Sequence, residues 1–175
     1  MALLALEEES LMAVLVIDGG EQNQEIIGII FKYTNTRINK IMAYSKSIID
    51  ILKAFKKIGW DIYNLEGKVE YLPVGDNDKY DWQWERMSDT KFYDIISTKI
   101  ANKEQVGVDL FHNSGVEGIS LLAYNTNQIT LSISINRKLM DERHTDMVWY
   151  LKNIVYRLMD IGVELLSYSL KEYED

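Results

Sequence analysis

A chain of 175 residues with 47% apolar content can build one conventional core, so residues 1–175 are expected to form a single domain rather than a disordered segment. Its 19 basic and 27 acidic residues leave a net charge of −8, which disfavours indiscriminate binding to nucleic acid or anionic membranes and favours a basic partner. The absence of cysteine excludes a disulfide framework, a thiolate nucleophile and a zinc–thiolate site, and it fits a reducing cytoplasm.

Residues 1–6 are apolar, but Glu7-Glu8-Glu9 follow where a signal peptide would continue, and no basic segment precedes them. No apolar run approaches the roughly 20 residues that span a bilayer. The expectation is a soluble, cytoplasmic protein. Residues 12–17 and 26–33 are compact apolar runs separated by Asp18-Gly19-Gly20, and they read as a strand pair joined by a polar loop. Short apolar runs do not distinguish strand from helix by periodicity, so a helix stays open for either.

From 37 to 59 the pattern changes. Ile38, Ile41, Met42, Ser45, Ile48, Ile49, Leu52, Phe55 and Ile58 form one stripe, with Lys40, Lys46, Asp50, Lys53 and Lys57 opposite. This predicts a long amphipathic helix with a basic outer face, stopped by Gly59. Residues 60–64 and 68–72 alternate loosely around Glu66-Gly67, a hairpin pattern. Pro73, the only proline, opens a loop over 73–86 that mixes carboxylates with aromatic rings: Asp76, Asp78, Tyr80, Asp81, Trp82, Trp84 and Glu85. Ser88 or Asp89 is placed to cap a helix carrying Phe92, Ile95, Ile96 and Ile100 on one face. Residues 106–111 read as a short strand.

The clearest pattern lies further on. Ile129, Leu131, Ile133 and Ile135 alternate with Thr130, Ser132, Ser134 and Asn136, as a half-buried strand requires. With the apolar run 119–124 and the turn-tolerant residues 125–128 it makes a hairpin. Met147, Val148, Leu151, Ile154, Val155, Leu158 and Met159 recur at helical spacing up to Gly162, and 163–170 returns as a strand. The order of elements predicts an α+β fold, a mostly antiparallel sheet with about three helices packed on it.

No catalytic constellation emerges, and no catalytic residue, metal ligand set or cofactor is expected. Only two histidines occur, His112 and His144, and His144 stands two residues from Asp146, a spacing that does not bring ligands together on a helix. Thr145 or Asp146 reads instead as a helix cap. Gly115-Val116-Glu117-Gly118-Ile119-Ser120 lacks the elbow of serine hydrolases, and Asp18-Gly19-Gly20 is a turn rather than a phosphate loop. Asp61 with Glu66-Gly67-Lys68 matches loosely the Asp and Glu-x-Lys arrangement of metal-dependent nucleases, but its glycine suggests a turn tip.

Charge is segregated. Residues 32–57 hold seven basic side chains (Lys32, Arg37, Lys40, Lys46, Lys53, Lys56, Lys57) against Asp50, a local charge of +6 that leaves −14 on the remainder. This basic face, with Lys40, Lys46, Lys53 and Lys57, reads as a solvated helix surface before it reads as a nucleic-acid groove. The acidic and aromatic stretch is the stronger candidate. Exposed Tyr and Trp give rigid contact area, and the surrounding carboxylates attract a cationic partner, so Asp76, Asp78, Tyr80, Asp81, Trp82, Trp84 and Glu85 are the candidate partner-binding residues. In the competing reading, Trp82 and Trp84 alternate inward as a strand and cover the sheet.

The run His144-Thr145-Asp146-Met147-Val148-Trp149-Tyr150, with Asn153-Ile154-Val155-Tyr156 after it and Ser132-Ile133-Ser134-Ile135-Asn136-Arg137 before it, resembles small bacterial domains of the immunity-protein kind. The likeness is architectural, covers chiefly the C-terminal half and carries no binding residue over. It implies a protein that binds a cognate toxin and blocks its active site, with a basic nuclease among the targets. A structural or adaptor domain using the same patch is the alternative.

Overall fold

The computed structural model describes residues 28–32, 47–124, 128–142, 144–163, 165 and 167–171. Eight strands form one sheet: β1 (Gly28–Lys32), β2 (Trp60–Asp61), β3 (Val69–Tyr71), β4 (Gln83–Glu85), β5 (Val106–His112), β6 (Gly118–Ala123), β7 (Gln128–Ile135) and β8 (Ser167–Lys171). Their order is β4-β3-β5-β6-β7-β1-β8, with β2 also paired to β5, and every pairing is antiparallel. Helices α1 (Ile48–Lys57) and α2 (Asp89–Ala101) are joined by a third rod made of α3 (Met147–Tyr150), a π-helical segment (Leu151–Tyr156) and α4 (Arg157–Asp160). The fold is α+β.

Strand periodicity decides which face is buried. Val106, Val108 and Leu110 of β5 stand beside Ile119, Leu121 and Ala123 of β6 and Ile129, Leu131 and Ile133 of β7, all nearly inaccessible. Against them pack Ile51, Leu52 and Phe55 of α1, Phe92 and Ile96 of α2, and Tyr150, Ile154, Val155 and Leu158 of the third rod, in one core. At roughly 25 cal/mol per Å² of apolar surface removed from water, this shared burial is the main force holding helices to sheet. The opposite face of the same strands carries Gly107, Asp109 and Phe111, then Ser120 and Leu122, and is smaller and more polar.

The helix expected over 37–59 is shorter at its start. Ser47 is extended, with φ −145° and ψ 155°, and its hydroxyl oxygen accepts from Asp50 N–H at 3.2 Å while donating to Asp50 Oδ2 at 2.9 Å. That reciprocal cap fixes the first turn at Ile48 and cuts the predicted stripe. Residues 33–46, with Lys40 and Lys46, lie outside the described residues, as does the run 12–17. Gly59 ends α1 as expected, at φ +94°.

The hairpin expected over 60–72 forms at its tip, where Tyr63 bridges Val69, Asn64 N–H donates to the Lys68 carbonyl at 3.0 Å and Gly67 N–H to the Asn64 carbonyl at 2.9 Å, while its outer ends pair elsewhere. Trp60 and Asp61 pair with His112 and Phe111, and Tyr71 pairs with Val108, so both arms lie along β5. Residues 62–68 lie between them, braced by the Tyr63/Val69 bridge and by Asn64 Oδ1, which accepts from Glu66 N–H at 2.9 Å and Lys68 N–H at 3.0 Å. Downstream, the expected loop 73–86 ends in β4, which pairs with β3. Ser88 caps α2, with its hydroxyl accepting from Lys91 N–H at 3.2 Å, and Asp146 caps α3 by accepting from Trp149 N–H at 2.9 Å. The β6/β7 hairpin and the return strand β8 form where the alternation places them.

Candidate functional site: an acidic and aromatic surface

The segment between β3 and β4 is built around one buried carboxylate. Asp76, 7% exposed, accepts from Asp81 N–H at 2.8 Å through Oδ1 and from Tyr80 N–H at 3.1 Å through Oδ2. These bonds hold a backbone that sequence propensity alone does not favour. Asn77, Asp78 and Tyr80 have φ of 50°, 58° and 56°, a left-handed conformation that is tolerable for Asn and Asp and unusual for tyrosine.

Two further anchors fix the base of the loop. Lys99 of α2, 1% exposed, donates from Nζ to the Pro73 carbonyl at 2.6 Å and lies 3.3 Å from Glu104 Oε2. Glu104 accepts from Gly75 N–H at 2.8 Å and from Asn102 Nδ2 at 2.8 Å, and the Gly75 bond is foremost in holding its carboxyl below the usual range. At the tip, Tyr124 beyond β6 donates to Asp78 Oδ1 at 2.8 Å, which pushes the phenol up to about 12. On the β4 side, Glu85 Oε1 accepts from Lys91 Nζ at 2.6 Å and from the Tyr71 hydroxyl at 3.2 Å. Lys91 is the leading cause of the lowered Glu85 value, while burial ahead of Glu85 raises Tyr71.

The seven candidate residues therefore divide into two roles. Asp76 and Glu85 bond within the chain and brace the segment. Asp78, Tyr80, Asp81 and Trp84 face solvent, with Trp84 62% and Tyr80 49% exposed, and Trp82 is half-buried. A strand forms over Gln83–Glu85, which includes Trp84 but not Trp82, and Trp84 is exposed on it, with Lys68 Nζ 4.5 Å from its ring centroid. Tyr124, 53% exposed, joins this surface from β6. Nothing local in the sequence marks it, because the contact spans 46 residues.

The other sequence signals resolve differently. Asp61 and Glu66 line a cleft of about 430 Å³ with Tyr63, His112, Asn113 and Asn136. Asp61 Oδ1 accepts from Ile62 N–H at 2.7 Å and Glu66 is bound to Lys68 at 2.6 Å. Among the described residues no group of three His, Asp or Glu side chains is placed to hold a metal ion. His112 packs edge-on against Trp60 and Trp149, and its Nδ1 lies 2.6 Å from the Ser114 hydroxyl; burial lowers its pKa. His144 lies outside the helix, 2.8 Å from Asp141. On the described part of the basic face, Lys56 meets Asp89 at 3.1 Å and Asp61 at 3.6 Å, and Lys53 lies over the Tyr93 ring.

Comparison with protein-family models, with curated proteins and with solved structures gives no match. Among the described residues, no helix is long and apolar enough to cross a membrane.

Proposed function

We propose that this domain is an immunity-type inhibitor, which binds a cognate bacterial toxin through Asp78, Tyr80, Asp81 and Trp84 and blocks its active site without catalysing a reaction. What supports the reading most is that two large aromatic side chains stand exposed on a segment anchored from within by Asp76, Lys99, Glu104 and Glu85. A preorganised surface loses little conformational freedom on binding, and aromatic anchors of this kind dominate interface energetics. Carboxylates at the tip accelerate encounter with a cationic face, such as the substrate groove of a nuclease. Trp84 already carries a lysine over its ring, and a partner's guanidinium can use the same face.

The test asks whether a toxin domain is encoded beside this chain's gene, whose absence counts against the reading, and uses that domain where it is found. The chain is expected to inhibit that toxin at a one-to-one ratio. The double variant Asp78→Asn, Asp81→Asn slows association and flattens its salt dependence, because rim charges act chiefly on the on-rate. Trp84→Ala speeds dissociation. Inhibition by both variants with unchanged kinetics rejects the surface, and binding without inhibition identifies an adaptor instead.

A further inference from the structure

Trp84 stands at the end of a row of side chains crossing the sheet on the face away from the helices. Trp84 is opposite Glu70 in the β3/β4 pair, Asp109 is opposite Ser120 in the β5/β6 pair, and Ser120 is opposite Ser132 in the β6/β7 pair. The pairing of Tyr71 with Val108 fixes the remaining step, because antiparallel register then sets Glu70 directly against Asp109. Two carboxyl groups thus face each other on neighbouring strands, where like charges are destabilising. Asp109 is only 5% exposed, and its Oδ1 is buried without a hydrogen-bond partner.

The charged groups around this pair do not relieve it. Lys68, just before β3, is bound to Glu66 at 2.6 Å and lies over Trp84. Beyond β4, Arg86 is exposed and acts on Glu66. From β6 only the Ser120 hydroxyl reaches Asp109, and along β5 its same-face neighbours are Gly107 and Phe111. Among the described residues no cation is paired with the two carboxyls, and a proton is the charge that can balance them there.

We propose that Asp109, facing the Glu70 carboxylate across the β3/β5 junction, keeps a proton there and so forms a pH-sensitive joint that holds the β3–β4 arm, and Trp84 with it, against the body of the sheet. The joint is narrow. β3 meets β5 through the Tyr71/Val108 pair and the bond from Leu72 N–H to the Gly107 carbonyl at 3.0 Å. Burial, and after it the charge of Glu70, raises Asp109 to about 7, so the proton is held in mild acid and released on the alkaline side. When both groups are charged they repel at this junction, the arm loosens, and Trp84 loses its fixed position. The consequence for partner binding, tighter below neutrality than above it, rests on the function proposed above; the joint itself does not.

The test needs no partner. The chain is labelled with 5-fluorotryptophan, the Trp84 resonance is assigned by its loss in Trp84→Phe, and its fluorine shift is followed from about pH 5 to about pH 9 together with amide exchange at Tyr71 and Leu72. The native Trp84 resonance is expected to titrate with a midpoint near 7, and the protection factors of Tyr71 and Leu72, taken against the base-catalysed intrinsic rate at each pH, fall on the alkaline side. In Asp109→Asn, whose amide imitates the protonated carboxyl, the Trp84 titration disappears while any effect of His112 or His144 survives. Glu70→Gln removes the opposing charge and moves the midpoint down by about one unit or more, which serves as a second reading should Asp109→Asn fail to fold. A Trp84 resonance that does not titrate, or that titrates unchanged in the Asp109→Asn or Glu70→Gln chain, overturns the joint. Toxin binding that stays independent of pH while Trp84 titrates overturns only its functional consequence.

Discussion

Replacing Asp76 by alanine tests whether the exposed surface is held in place by its own interior. The substitution removes the acceptor of the Tyr80 and Asp81 amides, at 3.1 and 2.8 Å. A hydrogen bond to a charged group is worth about 1.5–3 kcal/mol, and two on one carboxylate are not additive, so the loss is about 3 kcal/mol before water replaces part of it. Against this stands the left-handed backbone of Tyr80, at φ 56°, which costs about 1–2 kcal/mol and is tolerated only while those bonds hold it. Without the carboxylate the segment gains by relaxing. Amide exchange at Tyr80 and Asp81 is expected to accelerate about a hundredfold, the equivalent of about 2.7 kcal/mol of local opening. Amides of β5 and β6 keep their protection, because the core they share is untouched. Iodide quenching of Trp82 and Trp84 rises in parallel. Unchanged exchange at the two amides, or equal acceleration through β5 and β6, refutes the idea of a locally braced loop.

Glu104→Ala removes the acceptor of Gly75 N–H and leaves the buried Lys99 with only the Pro73 carbonyl, so a loss of about 2–3 kcal/mol is expected by chemical denaturation, with the slope against denaturant unchanged. At Gly107 an added Cβ would lie 2.6 Å from Leu72 Cδ1, and Leu72 is fully buried; Gly107→Ala should cost about 1–3 kcal/mol and lower the melting temperature. The stability of the whole chain should also carry the signature of Asp109. Its raised folded value, about 7 against about 4 when unfolded, means that the native state holds a proton which the unfolded chain has already released. That contribution is complete below about pH 4, falls as pH rises toward 7 and is flat above, at no more than about 1.4 kcal/mol per unit. Urea titrations of the native chain and of Asp109→Asn, compared across this window, should differ in slope by that amount.

What the sequence disclosed of the fold was its local part. Residues 129–135 alternate cleanly because one face of β7 is buried and the other is not, and Ser88 and Asp146 announce their helices because caps act within three residues. The errors have local causes as well. The stripe over 37–59 counted Ser45 as apolar-face and passed over Ser47, whose partner Asp50 stands three residues on, the spacing of a reciprocal cap. The arms of the 60–72 hairpin alternate as strands should, yet alternation does not name the partner strand, and both arms went to β5.

The candidate site was legible as composition and not as geometry. A run of carboxylates and rings over 76–85 marks the segment by composition, but Asp76 is buried and accepts from the Asp81 amide while Asp81 is exposed, and only the path of the backbone separates them. The supports come from further away: Lys99 acts across 26 residues, Gly75 meets Glu104 across 29, and Tyr124 meets Asp78 across 46. Glu70 and Asp109 are the extreme case. Each lies in a short strand with unremarkable neighbours, and neither says that another carboxyl group will face it. That follows from the Tyr71/Val108 register alone, and a shift of β3 by one residue would turn Glu70 toward the core and dissolve the pair. A buried carboxyl group retained in a face-to-face position therefore points to the register of β3 on β5 as the feature through which this chain can couple its acidic surface to pH.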